Sequence, residues 1–126
     1  MRVLVGATIV TIIICIFSFY STFYINETAT ELINSLNKIE KATIEENWDS
    51  VEKGLEYFSR EWKRVYSIWE ILIEHSEIDN IDISLSYIRA YTENQNSEQT
   101  VAELKVLITQ FERLRRTERL TIPNIL

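Results

Sequence analysis

Apolar residues recur at helical spacing through the middle of the chain, over residues 48–72. The steps between them alternate between three and four positions, the a/d spacing of a helix that packs one seam against other helices. The seam contains three tryptophans and a phenylalanine, so it predicts an aromatic interface rather than a ligand pocket. Its members are Trp48, Val51, Leu55, Phe58, Trp62, Val65, Trp69 and Leu72.

Further apolar stripes at helical intervals lie before and after this seam, and short polar stretches separate them. Four residue pairs have the spacing of helix caps: Thr28 with Glu31, Thr43 with Glu46, Ser76 with Asp79, and Asn96 with Gln99. They predict four helices, the second over roughly 45–74. Pro123 should end the last helix, and Gly54 is interpreted as a tolerated defect inside the second.

The N-terminal segment is a candidate membrane anchor. Residues 3–25 contain no charged side chain, and about 20 apolar residues are enough to cross a bilayer. Arg2 precedes this run, whereas Glu27 and Glu31 follow it, so the positive-inside rule places the N-terminus in the cytoplasm and the remainder outside. No good small-x-small cleavage site follows the run, which favours an uncleaved signal-anchor over a cleaved signal peptide.

The sequence therefore predicts an all-α protein, with a transmembrane helix in residues 1–26 and an extracytoplasmic bundle in residues 27–126. Because the links between helices are short, neighbouring helices should be antiparallel, in an up-and-down bundle of three to four helices. Residues 29–39 could instead continue the anchor without a break, or lie partly detached from a three-helix core.

Composition narrows the function classes. The formal net charge of -6 argues against nucleic-acid binding, which needs a basic surface. Cys15 is the only cysteine, so neither an intramolecular disulfide nor a cysteine-rich zinc site can form. There is no glycine-rich phosphate loop and no nucleophile elbow, and we expect no catalytic residue and no cofactor.

The chain resembles a bacterial family of small membrane proteins catalogued as a domain of unknown function (number 4363). The resemblance lies in the N-terminal anchor, the tryptophan-rich second helix, the segment His75-Ser76-Glu77-Ile78-Asp79-Asn80-Ile81, then Ser84-Leu85, Tyr91 and the terminal Asn124-Ile125-Leu126. It implies a membrane-anchored helical protein and assigns no chemistry to any residue.

A polar junction between the second and third helices is the first candidate site, formed by His75, Glu77, Asp79 and Asp82. On one continuous helix, His75, Asp79 and Asp82 would share a face with metal-ligand spacing. A helix junction explains them more simply, because acidic side chains near a helix start suit the helix dipole, and the break spoils the shared face. We therefore predict a junction, with no metal ligand among these residues; the alternative is a metal-binding or pH-sensing role, since histidine titrates near neutral pH.

A basic cluster near the C-terminus is the second candidate site: Arg113, Arg115, Arg116 and Arg119. The predicted topology returns this segment to the membrane, where arginines could pair with anionic lipid headgroups or an acidic partner. Alternatively, they favour the C-terminal helix dipole and form ion pairs with neighbouring helices.

Two function classes follow from these patterns. The favoured one is a non-catalytic, membrane-anchored interaction or accessory module that binds another membrane protein or itself. The alternative is a sensor-like ligand-binding helical bundle. A sensor would need a partner membrane protein to carry its signal, because the sequence shows neither a second membrane crossing nor a cytoplasmic output domain.

Overall fold

The computed structural model describes the backbone of residues 1–125 and the side chains of residues 1–116. The backbone forms four helices: α1 (Arg2–Ile44), α2 (Trp48–Leu72), α3 (His75–Glu93) and α4 (Ser97–Ile125). The described residues contain no strand, and only two or three residues link consecutive helices. The all-α prediction is therefore confirmed.

The helices form an up-and-down bundle in which α1 packs against α2 and α4, and α3 packs against α4 and, more sparsely, α2. Trp69, near the end of α2, contacts Thr28 of α1, and Arg113 of α4 contacts Glu77 near the start of α3. Each neighbouring pair is thus antiparallel, as short links require. All four helices share one core, so the first is not detached.

Helix α1 is continuous over 43 residues, about 65 Å at 1.5 Å per residue. Residues 2–17 of this helix are exposed, and its first buried residue is Ile25. The cap predicted at Thr28 is wrong, because this residue lies inside α1 and its hydroxyl donates to the Tyr24 carbonyl at 2.7 Å. The N-terminal part of α1 is long and apolar enough to cross a membrane, and none of its most apolar stretch is buried in the bundle.

The α2 seam is confirmed as the central interface. Six of its residues are buried: Val51, Leu55, Phe58, Trp62, Val65 and Trp69. Phe111 of α4 reaches across the bundle and meets three of their rings edge-to-face, with centroids 5.5 Å from Trp69, 5.7 Å from Trp62 and 6.2 Å from Phe58. Edge-to-face pairs stabilise beyond their buried area, so this cluster joins two helices that are not neighbours.

The α1–α2 and α3–α4 links have the same backbone. In each, the second link residue adopts a left-handed conformation, with φ of 55° at Glu46 and 51° at Gln95. The next amide, of Asn47 or Asn96, then bonds back to the preceding helix, as in a Schellman motif. Both links lie at the end of the bundle remote from the exposed part of α1.

This link geometry decides which predicted caps form. The Asn96–Gln99 cap is confirmed, since the Gln99 amide donates to the Asn96 Oδ1 at 3.1 Å and the side chains bond at 2.9 Å. The Thr43–Glu46 cap is wrong because Thr43 still belongs to α1, and Asn47 caps α2 instead.

Three further predictions of local structure are wrong. The Ser76–Asp79 cap does not form, because α3 begins at His75 and its cap residue Glu74 makes no side-chain bond. Helix α4 continues past Pro123 to Ile125, although proline has no N–H to donate to the preceding turn. Gly54 is not a mere defect: a Cβ there would lie 2.7 Å from Cγ1 of Ile39, so this glycine permits close packing of α1 and α2.

Candidate functional site

The four residues of the predicted polar junction lie near the start of α3 but do not converge. His75 and Asp79 are exposed, Glu77 faces α4, and Asp82 faces α2. No group of three His, Cys, Asp or Glu side chains among the described residues is placed to hold a metal ion. The start of α3 therefore contributes separate contacts to its two neighbouring helices.

Glu77 connects the two predicted sites by an ion pair with Arg113. The guanidinium donates from Nη1 to Oε1 at 2.9 Å and from Nη2 to Oε2 at 2.7 Å, which is the two-point geometry of strong arginine–carboxylate pairs. These hydrogen bonds and the arginine charge lower the pKa of Glu77 against the opposing effect of burial. The same contacts raise the pKa of Arg113.

Asp82 is half-buried and accepts hydrogen bonds from two aromatic side chains of α2. Trp62 donates from Nε1 and Tyr66 from its hydroxyl, each at 3.0 Å. The bond to Asp82 raises the pKa of Tyr66, and burial and neighbouring carboxylates add to this effect. This cluster was not predicted from the sequence, although Trp62 and Tyr66 are four residues apart and so share one helix face.

The basic cluster divides into residues with different surroundings. Arg113 is paired with Glu77, and Arg115 donates from Nη1 to the Thr30 hydroxyl of α1 at 3.0 Å. Arg116 is exposed. Arg119 lies outside the residues whose side chains the structure describes. Residues 113–116 therefore lie beside the α1 segment that follows its apolar run.

A groove lies between α2 and α3, the pair of neighbouring helices with the sparsest packing. It consists of two open depressions of about 680 and 540 Å³, and Ser59 and Arg89 line both. Arg89 donates from Nη2 to the Ser59 hydroxyl at 2.7 Å, across the groove. Nothing in the sequence indicated this groove, because it depends on the separation of two helices.

The two halves of the groove differ in their walls. The half nearer the exposed part of α1 is lined by Trp62, Tyr66, Asp82 and Leu85, with Lys63 and Ser67 at its edge. The remote half has more charged walls, with Glu52, Glu56, Arg60 and Glu93. A groove with aromatic groups and paired polar groups can bind the surface of another protein or an amphipathic small molecule.

A second space, between α1 and α2, is too small for a ligand. Its volume is about 20 Å³, and Thr28, Leu32 and Val65 are among its lining residues. This space has room for about one water molecule, whereas small-molecule sites occupy about 300–1,000 Å³.

The fold and these surfaces define an all-α protein: an antiparallel four-helix bundle whose first helix extends as a candidate membrane span. The chain belongs to the family described as Domain of unknown function (DUF4363), whose model matches residues 19–125. The match covers the bundle and the last part of the apolar run. No curated protein and no solved structure matches the chain.

Proposed function

We propose that this protein is a non-catalytic, membrane-anchored interaction module that binds another membrane protein through the α2–α3 groove. The groove is the observation that carries the proposal, because it is an open depression whose floor reaches the buried side chains of Trp62 and Leu85. Tyr66 is half-buried in the groove, and tyrosine is one of the residue types enriched at protein interfaces.

The anchor is the exposed apolar part of α1, in the cell membrane of a bacterium. Arg2 on one side and Glu27 and Glu31 on the other favour a cytoplasmic N-terminus and an extracytoplasmic bundle. The continuity of α1 supports an uncleaved anchor, because cleavage near the end of the apolar run would cut inside a helix that the core requires from Ile25 onward.

The orientation of the groove indicates what kind of partner fits it. Because α2 and α3 are antiparallel neighbours in the same bundle as α1, the groove runs along the direction in which α1 leaves it. A helix of a partner membrane protein that extends from its own span would therefore be parallel to the groove. Such a helix could place apolar side chains between α2 and α3.

Site-specific photo-crosslinking in membranes tests this proposal. Ser67 is an exposed residue that lines the groove, whereas Asn37 of α1 is also exposed but does not line it. We expect a photoreactive residue at position 67 to capture one partner reproducibly, and the same residue at position 37 to capture none. Equal capture at both positions, or none at either, would contradict a groove-mediated interaction.

The alternative function is a sensor-like ligand-binding bundle, and the size of the groove is the observation that favours it. Each half has a volume within the range of small-molecule sites. This function predicts that the full-length protein, purified from membranes, retains a small molecule and no protein partner. The interaction module predicts the reverse.

A further inference from the structure

We infer that the turn between α2 and α3 rests on the surface of the bilayer that α1 crosses, with Ile71 in the headgroup region and Arg116 against lipid phosphates. This inference rests on the proposed membrane anchor. It goes beyond the anchor because it assigns a lipid-contacting surface to the bundle itself and fixes the position of the bundle relative to the membrane.

The first support is the level of this turn along α1. The buried hydrogen bond from Trp69 Nε1 to the Thr28 hydroxyl, at 2.9 Å, aligns the end of α2 with the α1 residues just after the apolar run. Helix α2 continues from Trp69 toward the N-terminal end of α1, and Ile71 lies about 3 Å further along the axis. Ile71 is therefore close to the level of Ile25, where the uncharged run ends.

The second support is the character of the turn. Ile71 is 76% exposed, although it is a large aliphatic residue beside the core residues Trp69 and Ile73. Glu70 and Glu74, which are both exposed, flank it. Carboxylates so close to Ile71 would be costly in hydrocarbon, so the turn should lie at the headgroup level, where one apolar side chain can be shielded from water.

The third support is the position of the basic residues of α4. The bond from Arg115 to Thr30 places this part of α4 at the level of Thr30 in α1. Thr30 follows Ile25 by five residues, so this level is roughly 7 Å further from the apolar run along the axis of α1. An arginine side chain can extend its guanidinium along such a distance, and lipid phosphates accept its two-point hydrogen bonds. Arg116 is exposed and next to Arg115, so it is the residue we assign to this contact.

Fluorescence quenching of the full-length chain in vesicles tests the inference. A single cysteine is placed at position 71 in a Cys15→Ser background and carries an environment-sensitive dye. The vesicles contain phosphatidylcholine with about 30% phosphatidylglycerol, and some lipids carry a nitroxide quencher near the glycerol end of the acyl chain. Ile44 is a matched control, since it is 64% exposed and lies at the far end of α1.

We expect the nitroxide lipid to cause a loss of fluorescence at position 71 and none at position 44. Arg116→Glu should reduce the loss at position 71, because a carboxylate repels the phosphates. Equal quenching at positions 71 and 44 in a chain that floats with the vesicles would overturn this inference alone. A chain that does not float with them would overturn the proposed anchor as well. Unchanged quenching in Arg116→Glu would overturn the arginine contact.

Discussion

Trp69 of α2 and Thr28 of α1 form a buried hydrogen bond that joins the aromatic seam to the helix carrying the candidate membrane span. The indole Nε1 donates to the Thr28 hydroxyl at 2.9 Å, and that hydroxyl donates to the Tyr24 carbonyl. Each side chain thus has a polar partner within the buried core. The pair lies where α1 passes from its exposed part into the core.

Replacing Thr28 should therefore destabilise the bundle in a way that depends on its hydroxyl. Thr28→Val keeps the shape but leaves the buried indole N–H without an acceptor, at a cost of about 1–3 kcal/mol. Thr28→Ser keeps the hydroxyl and should cost clearly less. Chemical denaturation of the full chain in detergent, followed by tryptophan fluorescence, measures both. Equal losses would mean that packing, and not this bond, stabilises the contact.

Gly54→Ala should destabilise the protein although alanine is the better helix former. The added Cβ would lie 2.7 Å from Cγ1 of Ile39, which is 1% exposed and cannot move away freely. Overpacking of this kind costs about 1–3 kcal/mol, against a helix-propensity gain of about 1 kcal/mol.

Ile39→Ala provides the control for Gly54→Ala, because it removes the atoms that the new Cβ would meet. In a double-mutant cycle, Gly54→Ala should be less harmful, or stabilising, when position 39 is alanine. Additive effects of the two substitutions would contradict the close contact.

Gln95→Gly should stabilise the protein, because Gln95 has a left-handed φ of 51°. This conformation costs a non-glycine residue about 1–2 kcal/mol. Glycine avoids that cost, but its greater conformational freedom in the unfolded chain offsets part of the gain. We expect a net gain of up to about 1 kcal/mol, measured as a higher melting temperature. Asn94, whose φ of -86° is ordinary, is the control: Asn94→Gly should give no gain.

The Glu77–Arg113 pair should make stability depend on pH in the acidic range. The pKa of Glu77 is lowered in the folded protein, so the contribution of the pair is complete above the ordinary glutamate value of 4.5 and is lost as the pH falls through the lower, folded-state pKa. Arg113 is 48% exposed, so solvent screening limits the contribution to about 1 kcal/mol.

Glu77→Gln removes the titrating group while keeping a side chain of similar shape. Unfolding measured from pH 7 to pH 3 should show a smaller loss of stability in this variant than in the unmodified protein. Identical pH profiles would show that the pair contributes nothing to the pH dependence.

The α2 seam could be predicted from the sequence because an uninterrupted three–four spacing leaves one helix face to bury. The Thr43–Glu46 cap was predicted wrongly because Glu46, rather than a glycine, occupies the left-handed position, so the local sequence lacked the usual signal of a helix end. Gly54 was misinterpreted because its significance depends on Ile39 of another helix. The groove was not predicted for the same reason, since it lies between two helices.

Labelling of position 44 in intact cells tests the proposed anchor and orientation most directly. Ile44→Cys in a Cys15→Ser background places an exposed thiol at the end of α1 remote from the apolar run. We predict that a membrane-impermeant maleimide labels this thiol without lysis, in a full-length chain that stays in the membrane fraction after alkaline extraction. Labelling only after lysis, or release of the labelled chain from the membrane, would contradict the account.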